Sequence, residues 1–319
     1  MVLTNILDKV GQTPMMSIEL EANNLINICM KLEFYNPTGS VKDRAASYVI
    51  DKILSTGIIN RETTLIESSS GNFGVALSAY AKFHNLKFIC VIDKNTLPIN
   101  EMLIELNGAE IIKIDTPDAH GGYLLNRIKK IKQILKEKEN MYWVNQYGNP
   151  LNAEAYYYSL GKEMCEEAPD GIDYLFMGVS SGGTITGVST RIKKHFPKAK
   201  VIAVDIYGSV VFDSPPQKRY IPGIGSSMKP EILKRAMIDE VVWVNEVETV
   251  TSSRELLENY NIYSGGSSGS VYAGIKKYFS NKKITSPVNV MCIMADRGDR
   301  YNSTIYSDEW FEKLKKGTM

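Results

Sequence analysis

The chain has 319 residues, and its 37 basic and 36 acidic residues leave a formal net charge of +1. This length exceeds one ordinary hydrophobic core and predicts two domains. The near-neutral charge provides no field to attract nucleic acid or an acidic membrane surface, which argues against both partners. The N-terminus lacks a signal-peptide pattern, no apolar run reaches membrane-spanning length, and four cysteines are scattered without metal-binding spacing. These features predict a cytoplasmic metabolic enzyme with free thiols and no metal site.

Segments typical of strands and helices alternate along the chain. The predicted strands are residues 26–32, 65–67, 88–92, 110–114, 142–145, 175–179, 201–205, 241–244 and 288–294. The predicted helices are about residues 42–55, 74–84, 99–107, 122–138, 152–167, 184–195, 247–259 and 271–280. Strands that alternate with helices indicate an α/β fold in which mainly parallel sheets are covered by helices on both faces.

The first long helix begins after an Asn-Pro-Thr-Gly-Ser-Val turn at residues 36–41, with Ser40 as a candidate helix cap. Lys42 therefore lies on the first helical turn, where the helix dipole disfavours a cation and lowers the pKa of a lysine. A lysine with a lowered pKa is suited to Schiff-base chemistry. A solvated lysine beside Asp43 and Arg44 explains the motif equally well, so the motif alone leaves both interpretations open.

Three further loops of small residues precede helices. They are residues 67–74 (Glu-Ser-Ser-Ser-Gly-Asn-Phe-Gly), 180–184 (Ser-Ser-Gly-Gly-Thr) and 265–270 (Gly-Gly-Ser-Ser-Gly-Ser). A strand, a Gly/Ser loop and a helix aim free backbone N–H groups at one point and so form a cradle for an anion. None of the loops has the Gly-Lys-Ser/Thr of a Walker A motif or a Gly-x-Gly-x-x-Gly pattern. Together with the Lys42 helix, they form a combination that chance rarely supplies.

The chain resembles the cysteine synthase / cystathionine β-synthase family of fold type II pyridoxal-phosphate enzymes. The matching segments, in the family's order, are Gly11-Gln12-Thr13-Pro14 and residues 40–44, 70–72, 182–184, 222–225 and 265–267. The resemblance implies a fold similar to the tryptophan synthase β subunit, with a smaller inserted α/β domain at residues 40–145 that carries the substrate-carboxylate loop. The larger α/β domain would combine residues 1–39 and 146–319 and carry the cofactor-phosphate loop. A homodimer is expected from the family alone.

The resemblance also implies pyridoxal 5′-phosphate as cofactor and a role for each matched residue. Lys42 would hold the cofactor and later remove the proton from the substrate Cα. Asn72 would hydrogen-bond the cofactor's ring oxygen, and Ser267 would face its pyridine nitrogen. The expected cofactor-phosphate loop comprises Ser180, Ser181, Gly182, Gly183 and Thr184. The expected substrate-carboxylate loop comprises Ser69, Ser70 and Gly71.

Ser267 points to the reaction type. Many pyridoxal enzymes place an aspartate at the pyridine nitrogen, which keeps it protonated and makes the ring a strong electron sink. A serine hydroxyl leaves the nitrogen neutral, and a short-lived carbanion favours prompt loss of a β-leaving group. We therefore expect β-elimination to an aminoacrylate followed by addition of a nucleophile. The hydroxyl of Ser267 equally suits a cap for the following helix, and that use does not exclude the catalytic one.

A narrower resemblance is to the siderophore-pathway branch of the family, the N-(2-amino-2-carboxyethyl)-L-glutamate synthases, over residues 117–123, 145–147 and 295–301. It implies L-glutamate as acceptor, for 2,3-diaminopropionate biosynthesis, and O-phospho-L-serine is the hypothesised donor. Gln146 and Tyr147 stand where the sulfhydrylases have a Gln-Phe pair, and both are assigned to the substrate site. With Ser180, Tyr147 and Arg127 would shape the donor pocket, because a guanidinium binds phosphate in bidentate geometry. The alternative is that Arg127 is one more basic residue on its helix with Lys129, Lys130 and Lys132, but the functional role is favoured.

The identity of the acceptor depends on loop cations. Lys218-Arg219, Arg297 and Arg300 are candidates for docking the two carboxylates of glutamate, but Arg297 and Arg300 are explained slightly better as ion-pair partners of nearby aspartates. His120 is expected to be structural. Three alternatives stay open: an O-phosphoserine or O-acetylserine sulfhydrylase that makes cysteine, a serine or threonine dehydratase, and a binding protein that carries the cofactor without catalysis.

Overall fold

The computed structural model describes residues 2–118, 122–168 and 170–319. The strands are β1 (Met15–Leu20), β2 (Asn23–Leu32), β3 (Thr64–Ser68), β4 (Lys87–Asp93), β5 (Glu110–Ile114), β6 (Met141–Trp143), β7 (Tyr174–Gly178), β8 (Lys200–Ile206), β9 (Glu240–Val244) and β10 (Val288–Met294). The helices are α1 (Lys42–Ser55), α2 (Asn72–Phe83), α3 (Pro98–Leu106), α4 (Leu124–Glu137), α5 (Pro150–Tyr158), α6 (Leu160–Glu166), α7 (Gly183–His195), α8 (Glu246–Tyr260), α9 (Gly266–Phe279) and α10 (Asp308–Lys316).

The strands form two sheets. One has six strands in the order β1-β2-β10-β7-β8-β9, and the other has four in the order β5-β4-β3-β6. All pairs are parallel except β1 with β2, which is antiparallel. The prediction of an α/β fold with two mainly parallel sheets flanked by helices is confirmed. The smaller sheet uses strands between residues 64 and 143, and the domain boundaries at residues 40 and 145 stay a prediction.

The central strands of both sheets are mostly apolar because they are buried over almost their whole length. Residues 201–206 of β8 and 88–93 of β4 are buried throughout, as expected for parallel strands that helices cover on both faces. The carboxyl ends of parallel strands are where α/β proteins bind ligands. Here Ser68 at the end of β3 and Gly178 at the end of β7 both line one cleft. In the described part of the chain, no helix has the length and apolar character needed to cross a bilayer.

Four details differ from the sequence prediction. Strand β1 was not predicted, and neither was the C-terminal helix α10. The helix predicted at residues 152–167 is two helices, because Ser159 leaves the helical region with φ −112° and ψ −88°. Helix α9 begins at Gly266 rather than at residue 271, so the third Gly/Ser loop forms its first turn.

Candidate active site

A cleft of about 680 Å³ lies between the two sheets. The cleft is lined by the loops after β3, β4 and β7, by the N-termini of α1, α2 and α9, and by residues 216–227. The residues predicted for the site that line the cleft are Lys42, Ser69, Ser70, Gly71, Asn72, Arg127, Gln146, Tyr147, Ser180, Ser181, Gly182, Thr184 and Ser267. Gly183, the remaining predicted residue, is buried directly behind this wall.

Lys42 is the first residue of α1 and lines the cleft. The hydroxyl of Ser40 accepts the Lys42 N–H at 3.3 Å, as expected of a capping serine, although Val41 is the residue that directly precedes the helix. Burial lowers the pKa of Lys42 to about 8, and the nearby carboxylate of Asp296 works against that shift. The pKa is therefore lowered as predicted, but desolvation is the main cause.

The two neighbours of Lys42 are buried and anchor the start of α1. Asp43 accepts hydrogen bonds from the N–H and the hydroxyl of Thr38 at 2.9 and 2.7 Å. The Arg44 guanidinium forms ion pairs with Glu33 and Glu163, each at 2.6 Å. Asp43 is 0% and Arg44 2% exposed. The two neighbours of Lys42 are therefore structural and not solvated, while Lys42 itself is half-buried at the cleft.

The loop after β7 has the form of an anion cradle. Gly182 adopts φ +84°, a conformation that favours glycine, and α7 begins at the next residue with its first N–H groups free. A Cβ on Gly183 would come within 2.5 Å of the Asn152 side chain, so glycine is needed for this close approach. Ser181 is buried, and its hydroxyl has no hydrogen-bond partner among the described residues. Ser180 donates to the carbonyl oxygen of Gly225 at 3.0 Å. A buried, unpaired hydroxyl beside free N–H groups fits a phosphate group.

The loop after β3 is held from behind. The Ser69 hydroxyl accepts the Gly74 N–H at 2.9 Å and so caps α2. Gln146 donates its side-chain N–H to the carbonyl oxygen of Ser68 at 2.9 Å. Ser70 and Gly71 lie on the cleft side and are half-buried. The side chains of Ser69 and Gln146 therefore shape the loop, while Ser70 and Gly71 line the cleft itself.

Arg127 lies on α4 with 8% of its surface exposed and lines the cleft. Its Nε is 3.4 Å from the Asp93 carboxylate, which is an ion pair but not a well-formed hydrogen bond. Both Nε and Nη1 have no hydrogen-bond partner among the described residues. Buried charged groups are costly unless they are paired, so this guanidinium retains capacity for an anionic ligand.

The candidate loop cations separate into two groups. Lys218 and Arg219 line the cleft. Arg219 donates to the carbonyl oxygen of Ile224 at 3.2 Å and to the Ser227 hydroxyl at 3.1 Å. Arg297 is exposed and pairs with Asp299 at 3.6 Å. Arg300 is buried and bonds Asn72 but does not itself line the cleft, so Lys218 and Arg219 are the loop cations of this set that a substrate can reach.

Two acidic residues of the site were missed by sequence reasoning. Asp93 ends β4 and lines the cleft beside Arg127. The side chain of Asp296, just beyond β10, contacts Asn72. Both could have been found from their positions in the sequence. Asp93 is the last residue of a buried parallel strand and Asp296 lies just after one, at the edge of the sheet where ligands bind. His120 lies outside the described residues.

Comparison with known proteins gives a match to one family model and to several solved structures. A family model described as "Pyridoxal-phosphate dependent enzyme" matches residues 6–296. A solved O-acetylserine-dependent cystathionine β-synthase from Helicobacter pylori is 31% identical, with a TM-score of 0.89, over 96% of this chain and 100% of that one.

Two further solved structures are similar over almost the full length. An O-ureido-L-serine synthase is 26% identical, with a TM-score of 0.85, over 97% of this chain and 98% of that one. A hydrogen sulfide-producing enzyme from Fusobacterium nucleatum is 23% identical, with a TM-score of 0.87, over 94% of this chain and 100% of that one. At that identity, the second likeness shows the fold alone.

Proposed function

We propose a specific reaction for this chain, which belongs to the family of pyridoxal-phosphate-dependent enzymes. In this proposal it joins O-phospho-L-serine to L-glutamate. The reaction breaks the Cβ–O bond of the donor and forms a bond from Cβ to the glutamate nitrogen. The products are N-(2-amino-2-carboxyethyl)-L-glutamate, phosphate and the proton lost from the amine. The unpaired guanidinium of Arg127 in the cleft is the observation that supports this donor.

Pyridoxal 5′-phosphate is the cofactor, and when bound it supplies the electron sink for β-replacement. In this proposal Lys42 carries the cofactor and then moves the proton at the substrate Cα, a task suited to an amine with a pKa of about 8. Ser180, Ser181, Gly182, Gly183 and Thr184 hold the cofactor phosphate. Asn72 and Ser267 contact its ring, and Ser69, Ser70 and Gly71 bind the substrate carboxylate. Gln146 supports this carboxylate loop from behind.

The charge of the cleft supports a phosphorylated donor. Among its described lining residues, four are basic (Lys42, Arg127, Lys218, Arg219) and only Asp93 is acidic. The cofactor-phosphate loop itself contains no cation, so the arginines remain available for the substrates. In this proposal Arg127, Tyr147 and Ser180 surround the donor phosphate. Lys218 and Arg219, which belong to the lining segment 216–227, bind the carboxylates of glutamate.

The donor assignment is tested by exchanging Arg127 for methionine. An interaction between a charged group and phosphate is worth about 1.5–3 kcal/mol, which predicts a loss of roughly 10- to 100-fold in kcat/KM for O-phospho-L-serine. Turnover of O-acetyl-L-serine should change by less than about twofold, because an acetyl group needs no cation. Lys129→Met, an exposed residue on the same helix, is the matched control. Equal losses with both donors would refute the role of Arg127.

The Helicobacter pylori relative favours a second candidate, which is β-replacement on O-acetyl-L-serine with a thiol acceptor. Asp93 at 3.4 Å partly neutralises Arg127 and would make an uncharged ester tolerable in the same pocket. Homocysteine as acceptor would make the protein a cystathionine β-synthase, and sulfide would make it a cysteine synthase. Product identification with each donor, combined in turn with glutamate, homocysteine and sulfide, separates these functions. Formation of product only from O-acetyl-L-serine and a thiol would refute the leading proposal.

A further inference from the structure

The side chain of Asn72 is held by residues that follow β10, on the opposite side of the cleft. Its Nδ2 donates to Oδ2 of Asp296 at 2.7 Å, and Nη1 of Arg300 donates to its Oδ1. The Tyr301 hydroxyl donates to the same Oδ2 of Asp296 at 2.5 Å. Asp296, Arg300 and Tyr301 are 1%, 5% and 3% exposed. We call these three residues the Asn72 clamp.

The clamp fixes which way the amide of Asn72 points. A side-chain amide has one oxygen and two N–H groups. In Asn72 the oxygen accepts from a guanidinium, and one N–H donates to a carboxylate. Turning the amide over would place its NH₂ against Arg300 and its oxygen against Asp296, which pairs donor with donor and acceptor with acceptor. The clamp therefore holds the amide in the one orientation that keeps its oxygen on Arg300 and leaves its second N–H for a ligand in the cleft.

The clamp is itself held rigidly. Nη2 of Arg300 donates to the carbonyl oxygen of Thr38 at 2.5 Å, which ties it to the turn before Lys42. The carbonyl oxygen of Asp296 accepts the Gly265 N–H at 3.0 Å. A Cβ on Gly265 would come within 2.2 Å of the Asp296 carboxylate, so glycine is needed for this close approach. The same segment therefore ties the Lys42 turn to the start of α9, which carries Ser267.

A merely structural carboxylate would be expected to have both oxygens paired when it is fully buried. Oδ1 of Asp296 has no hydrogen-bond partner among the described residues. Its charge faces two cations, Lys42 in the cleft and Arg300 in the clamp. The carboxylate thus borders both the amine and the amide that are assigned to the cofactor.

We propose that Asp296, Arg300 and Tyr301 are positioning residues that lock the Asn72 amide with one N–H directed at the ring oxygen of the cofactor. The inference rests on the role proposed above for Asn72, and it does not depend on which donor or acceptor the enzyme uses. The three side chains act through Asn72 and do not themselves touch the cofactor. Loss of any one of them frees the amide to rotate or turn over, so that cofactor binding weakens.

The test measures cofactor binding rather than turnover. The full-length protein is freed of cofactor and titrated with pyridoxal 5′-phosphate, and both the dissociation constant and the wavelength of the visible absorption band are recorded. Arg300→Met should weaken binding about tenfold, the value of one hydrogen bond to a charged group. It should also move the band in the same direction as Asn72→Ala does. Arg297→Met, which changes an exposed arginine of the same segment, should change neither quantity.

A double-mutant cycle separates positioning from general damage. If Arg300 acts through Asn72, then Arg300→Met should have no further effect on cofactor affinity in the Asn72→Ala background. If the two residues contributed independently, the losses of cofactor affinity in the single variants would multiply in the double variant. Multiplicative losses, or a wild-type dissociation constant and band for Arg300→Met, would overturn the clamp while leaving the role of Asn72 intact. An unchanged Asn72→Ala variant would refute the proposed role of Asn72 itself, and the clamp with it.

Folding of each variant is checked by thermal unfolding of the cofactor-free protein. Asp296→Asn keeps the shape of the side chain and removes its charge, and it should lower cofactor affinity as Arg300→Met does. Should that variant not fold, Tyr301→Phe removes only the hydroxyl that donates to Asp296. Its expected effect is a smaller loss of cofactor affinity, about threefold, with the band shifted in the same direction. A Tyr301→Phe variant with wild-type affinity and band would count against the clamp.

Discussion

The buried amine of Lys42 should destabilise the protein in the absence of its cofactor. Burial lowers the pKa of Lys42 from 10.5 to about 8. A difference of one pKa unit corresponds to about 1.4 kcal/mol, so the full effect is ~3.5 kcal/mol. Because the side chain is half-buried and solvent screens part of the penalty, we expect about 2 kcal/mol. Lys42→Met should therefore make the cofactor-free protein more stable at pH 7 by about this amount.

The pH dependence follows from proton linkage. Between about pH 8 and 10.5, Lys42 is neutral in the folded protein and protonated in the unfolded chain. The unfolded state then binds more protons, so the stability of the wild-type protein rises with pH through this window. The advantage of Lys42→Met should be complete below pH 8 and should disappear by about pH 10.5.

The assay is urea unfolding of both cofactor-free proteins at pH 7, 9 and 10.5. Lys52→Met on the same helix is the matched control, because Lys52 is exposed, and its effect on stability should stay small at each pH. The reasoning would be refuted if Lys42→Met destabilised the protein at pH 7. It would also be refuted if the stability difference were the same at all three values of pH, since that would trace it to packing and not to charge.

Three more substitutions test one residue that lines the cleft, Ser181, and two buried residues, Gly183 and Glu67, that do not. Ser181→Ala should leave the stability of the cofactor-free protein unchanged or slightly higher, because the buried hydroxyl is unpaired, but should weaken cofactor binding about tenfold in a titration. Gly183→Ala should lower the free energy of unfolding by about 1–3 kcal/mol in urea, because its Cβ would meet Asn152 at 2.5 Å. Burial raises the pKa of Glu67 from 4.5 to about 7, so its contribution to stability should fall as pH rises from 4.5 to 7. Glu67→Gln should remove that fall, and parallel stability–pH curves for the variant and the wild type would contradict the expectation.

Local pattern was enough to predict the elements that carry the site. The prediction of a helix from Lys42 is confirmed, because the turn before it and the apolar spacing after it are both local signals. Strands β5 and β10 match their predicted residues for the same reason. The first two Gly/Ser loops follow strands that end at one cleft, as expected for parallel strands.

What the sequence could not provide are contacts between distant segments. The dipole argument for Lys42 gave the right direction but the wrong main cause, because burial of the amine depends on how the sheets pack. Arg300 was weighed as an ion-pair partner of a nearby aspartate, but its bond to Asn72, 228 residues away in sequence, was not foreseen. No periodicity or propensity encodes such a pairing. The break at Ser159 was also missed, because the apolar pattern continues across it.

The distribution of charge explains how one cleft could hold a phosphorylated cofactor and a phosphorylated substrate. The loop at Ser180–Thr184 offers neutral donors and the start of a helix, which bind one phosphate without any side-chain cation. A second phosphate in the same cleft would be repelled by the first unless a positive charge stood beside it. Arg127 is buried, only partly neutralised by Asp93 at 3.4 Å, and belongs to a different element. Under the proposed function, this separation assigns the helix start to the phosphate of the cofactor and the guanidinium to the phosphate that leaves the substrate.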